Sequence, residues 1–371
     1  MDDRYRIDDT RMIISPGLVV FRELVEANIE QMVAIAGDPS RLRPHCKTHK
    51  MLEVTRMQLA LGVTKHKCAT LAEAEMLAKA GVKDIFLAYN VVGPNIERVV
   101  RFVEKYPDVT FSLTADHSKP IEELSQAMVQ AERSVDVLLD LDTGLHRTGT
   151  LPGARARELY RKIAESPGLN PGGLHVYDGH NKQSVVEERR RAVDACWQAA
   201  IEFRDALVSE GLKVPRIVAG GTGSFPLYAE KQEATLELSP GTTVFYDVGY
   251  RDLFPDLDFT PAALILTRVI SRPSKTLLTC DLGSKACASD PPMGTRVEFP
   301  DLLDAKQILQ NEEHLVLETD RADEFEPGDE LLAIPRHICP TSALHRQAYV
   351  ISRGKLVTHW DVVARDRWLT I

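Results

Sequence analysis

The sequence predicts an α/β protein in which a (β/α)8 TIM barrel is followed by a mostly β C-terminal domain. In the first two thirds of the 371 residues, eight short apolar or β-branched segments alternate with amphipathic segments, and after about residue 255 strand-like alternation replaces this pattern. Eight parallel strands are the number that closes a barrel. An open doubly wound sheet would also fit, but no GxGxxG motif follows the first segment. We therefore expect two domains, at 15–255 and 256–371, with residues 1–14 packing against the second.

The expected barrel elements follow from local patterns. Thr70 and Glu73 form a capping box, apolar positions follow at helical spacing, and Gly81 supplies the end of that helix. Comparable helical stripes precede Pro107 and Pro167. The eight expected barrel strands are 18–20, 43–46, 65–69, 85–89, 109–113, 135–141, 173–177 and 216–220.

The C-terminal third has the two-residue period of half-buried strands. Such segments occupy 263–270, 277–280 and 347–352, and turn-forming pairs follow at Arg272-Pro273 and Arg353-Gly354. Long helical patterns are absent from this sequence region, which predicts a separate β domain.

Composition restricts the class of protein. The net charge is 45 − 54 = −9 and no basic run occurs, so we expect no nucleic-acid partner. No stretch approaches the ~20 apolar residues of a membrane helix, so we expect no membrane partner. The first residues contain no apolar export core, and the six cysteines form no CxxC pair. These features predict a cytoplasmic protein.

A lysine follows the second expected strand, in the run 43–50 that ends Lys47-Thr48-His49-Lys50. Reactive residues in barrels lie at the carboxyl ends of the strands. A lysine that points into a barrel mouth is costly unless it is paired or neutralised, and a covalent bond with an aldehyde cofactor removes that cost. A basic surface loop explains the same run equally well.

A glycine-rich loop follows the eighth expected strand, with Gly221, Thr222 and Gly223 at its centre. Such loops let backbone amides close on a phosphate, although structural glycine-rich turns are also common. Because strands one and eight are neighbours in a closed barrel, the lysine and this loop would lie side by side. Together they predict a phosphorylated aldehyde, pyridoxal 5'-phosphate.

His337 and Cys339 are two residues apart after an apolar segment. On a strand they would face the same side and could bind one divalent cation (Mn²⁺, Mg²⁺ or Zn²⁺). Two protein ligands leave coordination positions open, as in catalytic metal sites, and a thiolate favours Zn²⁺. A core histidine beside a buried cysteine is the alternative interpretation.

These motifs resemble those of the D-threonine aldolase and D-serine dehydratase family, pyridoxal phosphate enzymes with an alanine-racemase-like fold. The matching runs follow the family order across nearly the whole chain. They are RPHCKTHK at 43–50, CATLAEAE at 68–75, DLDTGLHRTG at 140–149, HVYDGH at 175–180, GGTGS at 220–224, PGTTVFYD at 240–247 and HICPT at 337–341.

The resemblance implies a role for each candidate site residue. Two of these residues also have a purely structural interpretation. Arg147 could pair only with Asp140 or Asp142, and Tyr177 could be a packing residue of the barrel. The implied roles are Lys47 as the Schiff-base lysine, Tyr177 as the active-site tyrosine, Arg147 beside the cofactor ring, Gly221, Thr222 and Gly223 as the phosphate loop, and His337 and Cys339 as the metal ligands.

The resemblance further implies a homodimeric, metal-dependent lyase that acts on a small D-3-hydroxy amino acid. The expected reaction is that of a D-threonine aldolase, retro-aldol cleavage to glycine and acetaldehyde. At the position of Cys339 the resemblance implies a cysteine in D-serine dehydratases and an aspartate in typical D-threonine aldolases. The following residues, Pro340 and Thr341, resemble those of the aldolases. A D-serine or D-threo-3-hydroxyaspartate dehydratase is therefore the alternative. An amino-acid racemase and a non-enzymatic cofactor-binding protein are disfavoured, because neither needs the metal pair.

Overall fold

The computed structural model describes residues 3–367 and 370–371, which form two compact units. Among these residues, the barrel unit comprises 32–47, 55–241, 366–367 and 370–371. The β unit comprises 3–31, 48–54 and 242–365. This division differs from the expected 15–255 and 256–371, because the N-terminal strand and the segment after residue 241 belong to the β unit.

The barrel unit is built on a seven-stranded parallel sheet in which each strand pairs with the next one along the chain. Isolated parallel bridges from Leu42 to Leu238 and from His45 to Lys67 connect segment 42–46 to both edge strands. With elements numbered in chain order, the strands are β2 (Lys65–Cys68), β3 (Asp84–Asn90), β4 (Thr110–Ala115), β5 (Val135–Asp140), β6 (Leu169–Val176), β7 (Ile217–Ala219) and β8 (Leu236–Leu238).

Helices follow most of these strands, as a parallel sheet requires. The predicted cap is confirmed: the Thr70 side chain accepts a hydrogen bond from the Glu73 amide (3.1 Å), and Gly81 ends the helix with φ +103°. The helices are α1 (Arg22–Ala36), α2 (Leu52–Ala60), α3 (Leu71–Ala80), α4 (Pro94–Lys105), α5 (Ser118–Gln130), α6 (Ala154–Glu165), α7 (Val186–Ser209) and α8 (Phe225–Ala229).

The expected fold class is confirmed, but one strand assignment is wrong. The 18–20 run lies in β1 (Gly17–Phe21), which belongs to the sheet of the β unit. The missed barrel strand is β8, where Glu237 interrupts the apolar pattern. The buried guanidinium of Arg43 pairs with Glu237, and Lys65 Nζ donates to it at 2.8 Å, so ion pairing allows a carboxylate in this strand.

The β unit contains a nine-stranded mixed sheet in the order β12-β13-β10-β9-β1-β15-β16, with β14 also paired to β9 and β11 to β14. Side chains of β1, β9, β14 and β15 form its apolar core. The remaining elements are β9 (Ala263–Ser274), β10 (Leu277–Cys280), β11 (Val297–Glu298), β12 (Lys306–Gln310), β13 (Leu315–Glu318), β14 (Glu330–Pro335), β15 (Gln347–Ser352), β16 (Lys355–Asp361), α9 (Val248–Leu253) and α10 (Ile338–Leu344).

Among the described helices, none combines the length and the apolar character that a membrane span needs.

Candidate active site

A cavity of about 530 Å³ opens at the carboxyl ends of the barrel strands. This volume lies in the range of about 300–1,000 Å³ typical of small-molecule sites. Three of the candidate residues line it, and so do groups that the sequence did not single out. The charged and ring-bearing lining residues are His45, Lys47, Lys67, Tyr89, Asp140, Arg147, His175 and Tyr177.

Lys47 follows segment 42–46, whose backbone is held by β2 and β8. Its Nζ lies 5.9 Å from the centroid of the Tyr177 ring, and its own amide donates to His45 Nδ1 (3.1 Å). Within the described part of the chain, the Lys47 amine forms no salt bridge. The sequence placed this lysine after the second barrel strand, whereas segment 42–46 is the first parallel segment of the barrel unit.

The Tyr177 side chain lies over two glycines. A Cβ on Gly179 would be 2.6 Å from the Tyr177 hydroxyl oxygen, and one on Gly221 would be 3.1 Å from its Cε2 atom. Real Cβ atoms do not approach other atoms as closely as 2.6 Å, so Gly179 is required for this position of the ring. The glycine-rich loop therefore lies against the tyrosine that Lys47 faces.

Arg147 stacks over the same ring, with its Cζ atom 5.0 Å from the Tyr177 centroid. The alternative of a simple ion pair does not hold. Asp140 and Asp142 each pair with a histidine instead, at 2.7 and 2.8 Å. Arg147 is exposed and has no salt-bridge partner among the residues that the structure describes.

Asp140 and His175 form a buried pair at the cavity wall that sequence reasoning missed. Burial alone would raise the pKa of the Asp140 carboxyl, but the attraction of His175 outweighs it and holds that pKa below its usual range. Burial lowers the pKa of His175, although Asp140 opposes this. The Nε2 atom of His175 has no hydrogen-bond partner in the described structure, so it can bind a polar ligand atom.

The glycine-rich loop is partly closed by its own hydrogen bonds. Gly220 has φ +80°, and the Gly221 amide donates to Ser224 Oγ (3.0 Å). The Thr222 hydroxyl accepts from the Gly241 amide (3.2 Å). The Gly223 amide has no acceptor within the described residues. The amide of Gly223 is therefore free for an anion, whereas that of Gly221 already has a partner.

His337 and Cys339 are not on a strand, which corrects the argument from strand spacing. Strand β14 ends at Pro335, His337 is the extended residue before α10, and Cys339 lies in the first turn of that helix. The two side chains nevertheless interact. Burial would lower the pKa of His337, but hydrogen bonding and attraction to Cys339 and Asp290 raise it to about 9.

The partners of this pair were not visible in the sequence. Asp290 accepts a hydrogen bond from His337 Nδ1 (2.6 Å), the arrangement that commonly orients a metal-binding imidazole. Cys339 Sγ lies 3.1 Å from Thr48 Oγ1 and 3.5 Å from Thr242 Oγ1. Asp290 is 47 residues from His337, and no local motif connects them. The residues present fit a divalent ion with one nitrogen and one sulfur ligand.

A different group of three potential ligands lies in the barrel unit. Ligand atoms of His45, Cys46 and Glu73 all lie within 4.8 Å of one another. Glu73 Oε2 already accepts a hydrogen bond from the amide of Ala69, the residue that precedes the Thr70 N-cap of α3 (2.6 Å). Helix capping thus accounts for the position of this carboxylate.

The parallel sheet of the barrel unit and the residues of its cavity are those of an alanine-racemase-like protein. The family described as "Alanine racemase, N-terminal domain" matches residues 22–248, and the "Putative serine dehydratase domain" matches residues 262–351. The crystal structure of D-threonine aldolase from Filomicrobium marinum has a TM-score of 0.87 and 27% identity to this chain, and covers 95% of each.

Full-length relatives then define the particular family. D-threonine aldolase from Arthrobacter sp. is 30% identical over 96% of this chain and 94% of its own length. The 3-hydroxy-D-aspartate aldolase of Paracoccus denitrificans is 30% identical over 97% and 94%. The D-threo-3-hydroxyaspartate dehydratase of a Delftia strain is 26% identical over 96% and 99%. The chain belongs to the D-threonine aldolase and D-serine dehydratase family and is a lyase, which confirms the resemblance seen in the motifs.

Proposed function

We propose that the protein is a D-threonine aldolase, dependent on pyridoxal 5'-phosphate and a divalent metal, that cleaves D-3-hydroxy amino acids by the retro-aldol reaction. The observation that carries the proposal is the amine of Lys47 in a cavity shared with Arg147 and Tyr177. The aldolase relative with 30% identity over nearly the whole chain supports the reaction type.

The cavity residues fit the proposed cofactor. Pyridoxal phosphate, when bound, supplies an aldehyde and a ring that accepts electrons. Lys47 would hold the cofactor through its amine, and Arg147 and Tyr177 would flank it. The phosphate is assigned to the loop Gly221, Thr222 and Gly223, where the Gly223 amide is free to donate. The cations without salt-bridge partners favour an anionic ligand.

The β unit would supply the metal ligands. His337 Nε2 and Cys339 Sγ would hold the ion, and Asp290 would fix the imidazole. The ion supplies a Lewis acid for the β-hydroxyl of the substrate. Thr48, whose hydroxyl contacts Cys339, is the residue after Lys47 in the sequence.

A product assay tests the reaction type. The purified chain is incubated with pyridoxal phosphate, D-threonine and Mn²⁺, Mg²⁺ or Zn²⁺ in separate reactions. We expect acetaldehyde and glycine in equal amounts, with L-threonine as the control substrate that gives no product. The formation of 2-oxobutyrate and ammonia instead would exclude the aldolase.

The second candidate is a dehydratase of D-serine or D-threo-3-hydroxyaspartate. Cys339 favours it, because the resemblance has a cysteine at this position in D-serine dehydratases. A thiolate ligand would also favour Zn²⁺ over the harder Mn²⁺ and Mg²⁺. The same assay with these two substrates decides, since β-elimination releases ammonia and a 2-oxo acid.

We also propose a cytoplasmic homodimer. Six free cysteines are consistent with a reducing compartment, and the dimer rests on the family resemblance. Light scattering of the purified protein should give twice the 41.3 kDa chain mass, and a value equal to the chain mass would exclude the dimer.

A further inference from the structure

Strand β2 brings a second lysine to the cavity, and the proposed function gives it no role. Lys67 is 2% exposed, and its Nζ lies 5.7 Å from the centroid of the Tyr177 ring. Lys47 Nζ lies 5.9 Å from the same centroid. The cavity therefore contains two amines at similar distances from one ring, and only one of them is needed to bond to an aldehyde.

Lys67 has no salt-bridge partner within the described residues. Two carboxylates attract it, those of Asp140 and Asp178. Asp140 pairs with His175 at 2.7 Å, whereas Asp178 accepts a hydrogen bond from Ser224 Oγ at 2.7 Å. Both carboxylates thus have other hydrogen-bond partners, and neither forms an ion pair with Lys67.

The other charged groups around the cavity oppose a charge on Lys67. Burial lowers the pKa of the Lys67 amine to about 7, and repulsion by Lys47 and Arg147 adds to this effect. The remaining titratable groups that line the cavity are His45, whose backbone pairs with that of Lys67, Tyr89, His175 and Tyr177. A fully buried cation without an ion pair is costly, so an anion in the cavity would interact with it strongly.

We propose that Lys67 is a ligand-binding residue that takes up a proton when the cavity is filled and pairs with an anionic oxygen of the ligand. The inference rests on the proposed function, because the ligand is the cofactor or the carboxylate of the amino-acid substrate. A residue that served only to fill space would need no amine at this position, since methionine has a similar length and no charge to bury.

The first arm of the test measures cofactor-like binding without any covalent bond. Pyridoxine 5'-phosphate, which lacks the aldehyde, is titrated into the cofactor-free full chain between pH 6 and pH 9 by calorimetry. The variants are Lys67→Met, which removes the charge, and Lys67→Arg, which keeps it at every pH. Ionisation of the ligand phosphate is common to all three proteins, so differences between them report residue 67.

At pH 6 we expect the Met variant to bind roughly 10-fold more weakly than the wild type, the scale of a hydrogen bond to a charged group. This difference should shrink toward pH 9, because the wild-type amine loses its proton as the pH rises. The Arg variant should keep the same advantage over the Met variant across the range.

The second arm measures the substrate contribution. If the anionic oxygen is the substrate carboxylate, the holoenzyme of the Met variant should show a KM for D-threonine raised roughly 10-fold with little change in kcat, while pyridoxine 5'-phosphate binding stays normal. The proposal is overturned if neither binding nor KM changes, or if the wild type binds no pyridoxine 5'-phosphate at all. Borohydride labelling of Lys47 does not depend on residue 67. A wild-type protein without this label would therefore show that the proposed function fails, whatever the result for Lys67.

Thermal unfolding of the cofactor-free chain supplies the folding control. The folded-state pKa of about 7 lies below the usual 10.5, so the folded protein binds fewer protons than the unfolded chain between these values. The destabilisation by Lys67 is therefore complete below pH 7 and fades as the pH rises toward 10.5. Lys67→Met should melt higher than the wild type at pH 6, with a smaller difference at pH 9. An equal or lower melting temperature at pH 6 would contradict a buried, uncompensated amine, and Lys67→Gln serves if the Met variant does not fold.

Discussion

The cavity of the barrel unit and the His337–Cys339 pair of the β unit differ in how their polar groups are compensated. In the cavity, Lys47, Lys67 and Arg147 have no salt-bridge partner in the described part of the chain. In the β unit, by contrast, His337 is fixed by Asp290, and Cys339 contacts two threonine hydroxyls. Uncompensated cations favour an anionic ligand, whereas an oriented imidazole beside a thiol favours a cation. The two regions are thus prepared for ligands of opposite charge.

The largest effect is expected at Lys47. Lys47→Ala removes the amine that bonds to the cofactor, and activity should fall by more than about 10³-fold, the scale that follows removal of a nucleophile. Borohydride reduction and peptide mapping should label Lys47 in the wild type.

Lys50 provides the matched control. It lies in the same segment, 43–50, but its Nζ donates to the Ala364 carbonyl (3.4 Å) instead of lining the cavity. Lys50→Ala should keep both the label and the activity, and a label on Lys50 would contradict the assignment.

Removal of the metal should lower turnover but leave cofactor binding in the barrel unit unchanged. Chelation, or His337→Ala, should lower turnover by about 10²-fold or more, because Lewis-acid activation contributes several kcal/mol. The absorbance of the Lys47-bound cofactor should remain, since the lysine does not use the metal. The exposed His314 gives a control variant, His314→Ala, that should behave as the wild type. Full turnover by protein shown to be metal-free would mean that His337 and Cys339 are packing residues.

A smaller effect is expected at Asp290. Asp290→Ala should weaken metal affinity about 10–100-fold, the usual consequence of losing the carboxylate that orients a histidine ligand. Competition with a chelating dye measures this affinity without relying on activity. Asp290→Asn, which can still accept the hydrogen bond, should restore part of it, and the exposed Asp258→Ala variant should have no effect. Unchanged affinity in Asp290→Ala would show that Asp290 does not support the site.

The smallest effect is expected in the glycine-rich loop. A side chain at Gly221 meets Tyr177 at 3.1 Å, so Gly221→Val should displace the ring and weaken cofactor affinity by roughly 10-fold. Gly153→Val is the matched control, because a Cβ there meets nothing within 4 Å. Fluorescence titration of the cofactor-free chain compares them, and equal affinities would make the loop structural only.

Sequence patterns predicted the repeated strand–helix order, the C-terminal β region and the position of the lysine in the chain. They failed at β1 and β8 for a physical reason. An apolar strand buried on both faces looks the same in a barrel and in a mixed sheet, so the β1 run gave no sign of its partners, β9 and β15. Strand β8 was missed because Glu237 interrupts its apolar pattern. The ion pair that allows Glu237 there joins it to Arg43, which is 194 positions away in the sequence.

The sequence by itself determined the family, through motifs that occur in order along the chain, and with it the candidate residues from Lys47 to Cys339. The tertiary structure decided which charged and polar side chains surround these candidate residues. It placed Lys67 beside Lys47, paired Asp140 with His175, and brought Asp290 to His337. Burial and charge pairing depend on the distances between side chains from different strands, and a linear pattern contains only the distances along one strand or helix.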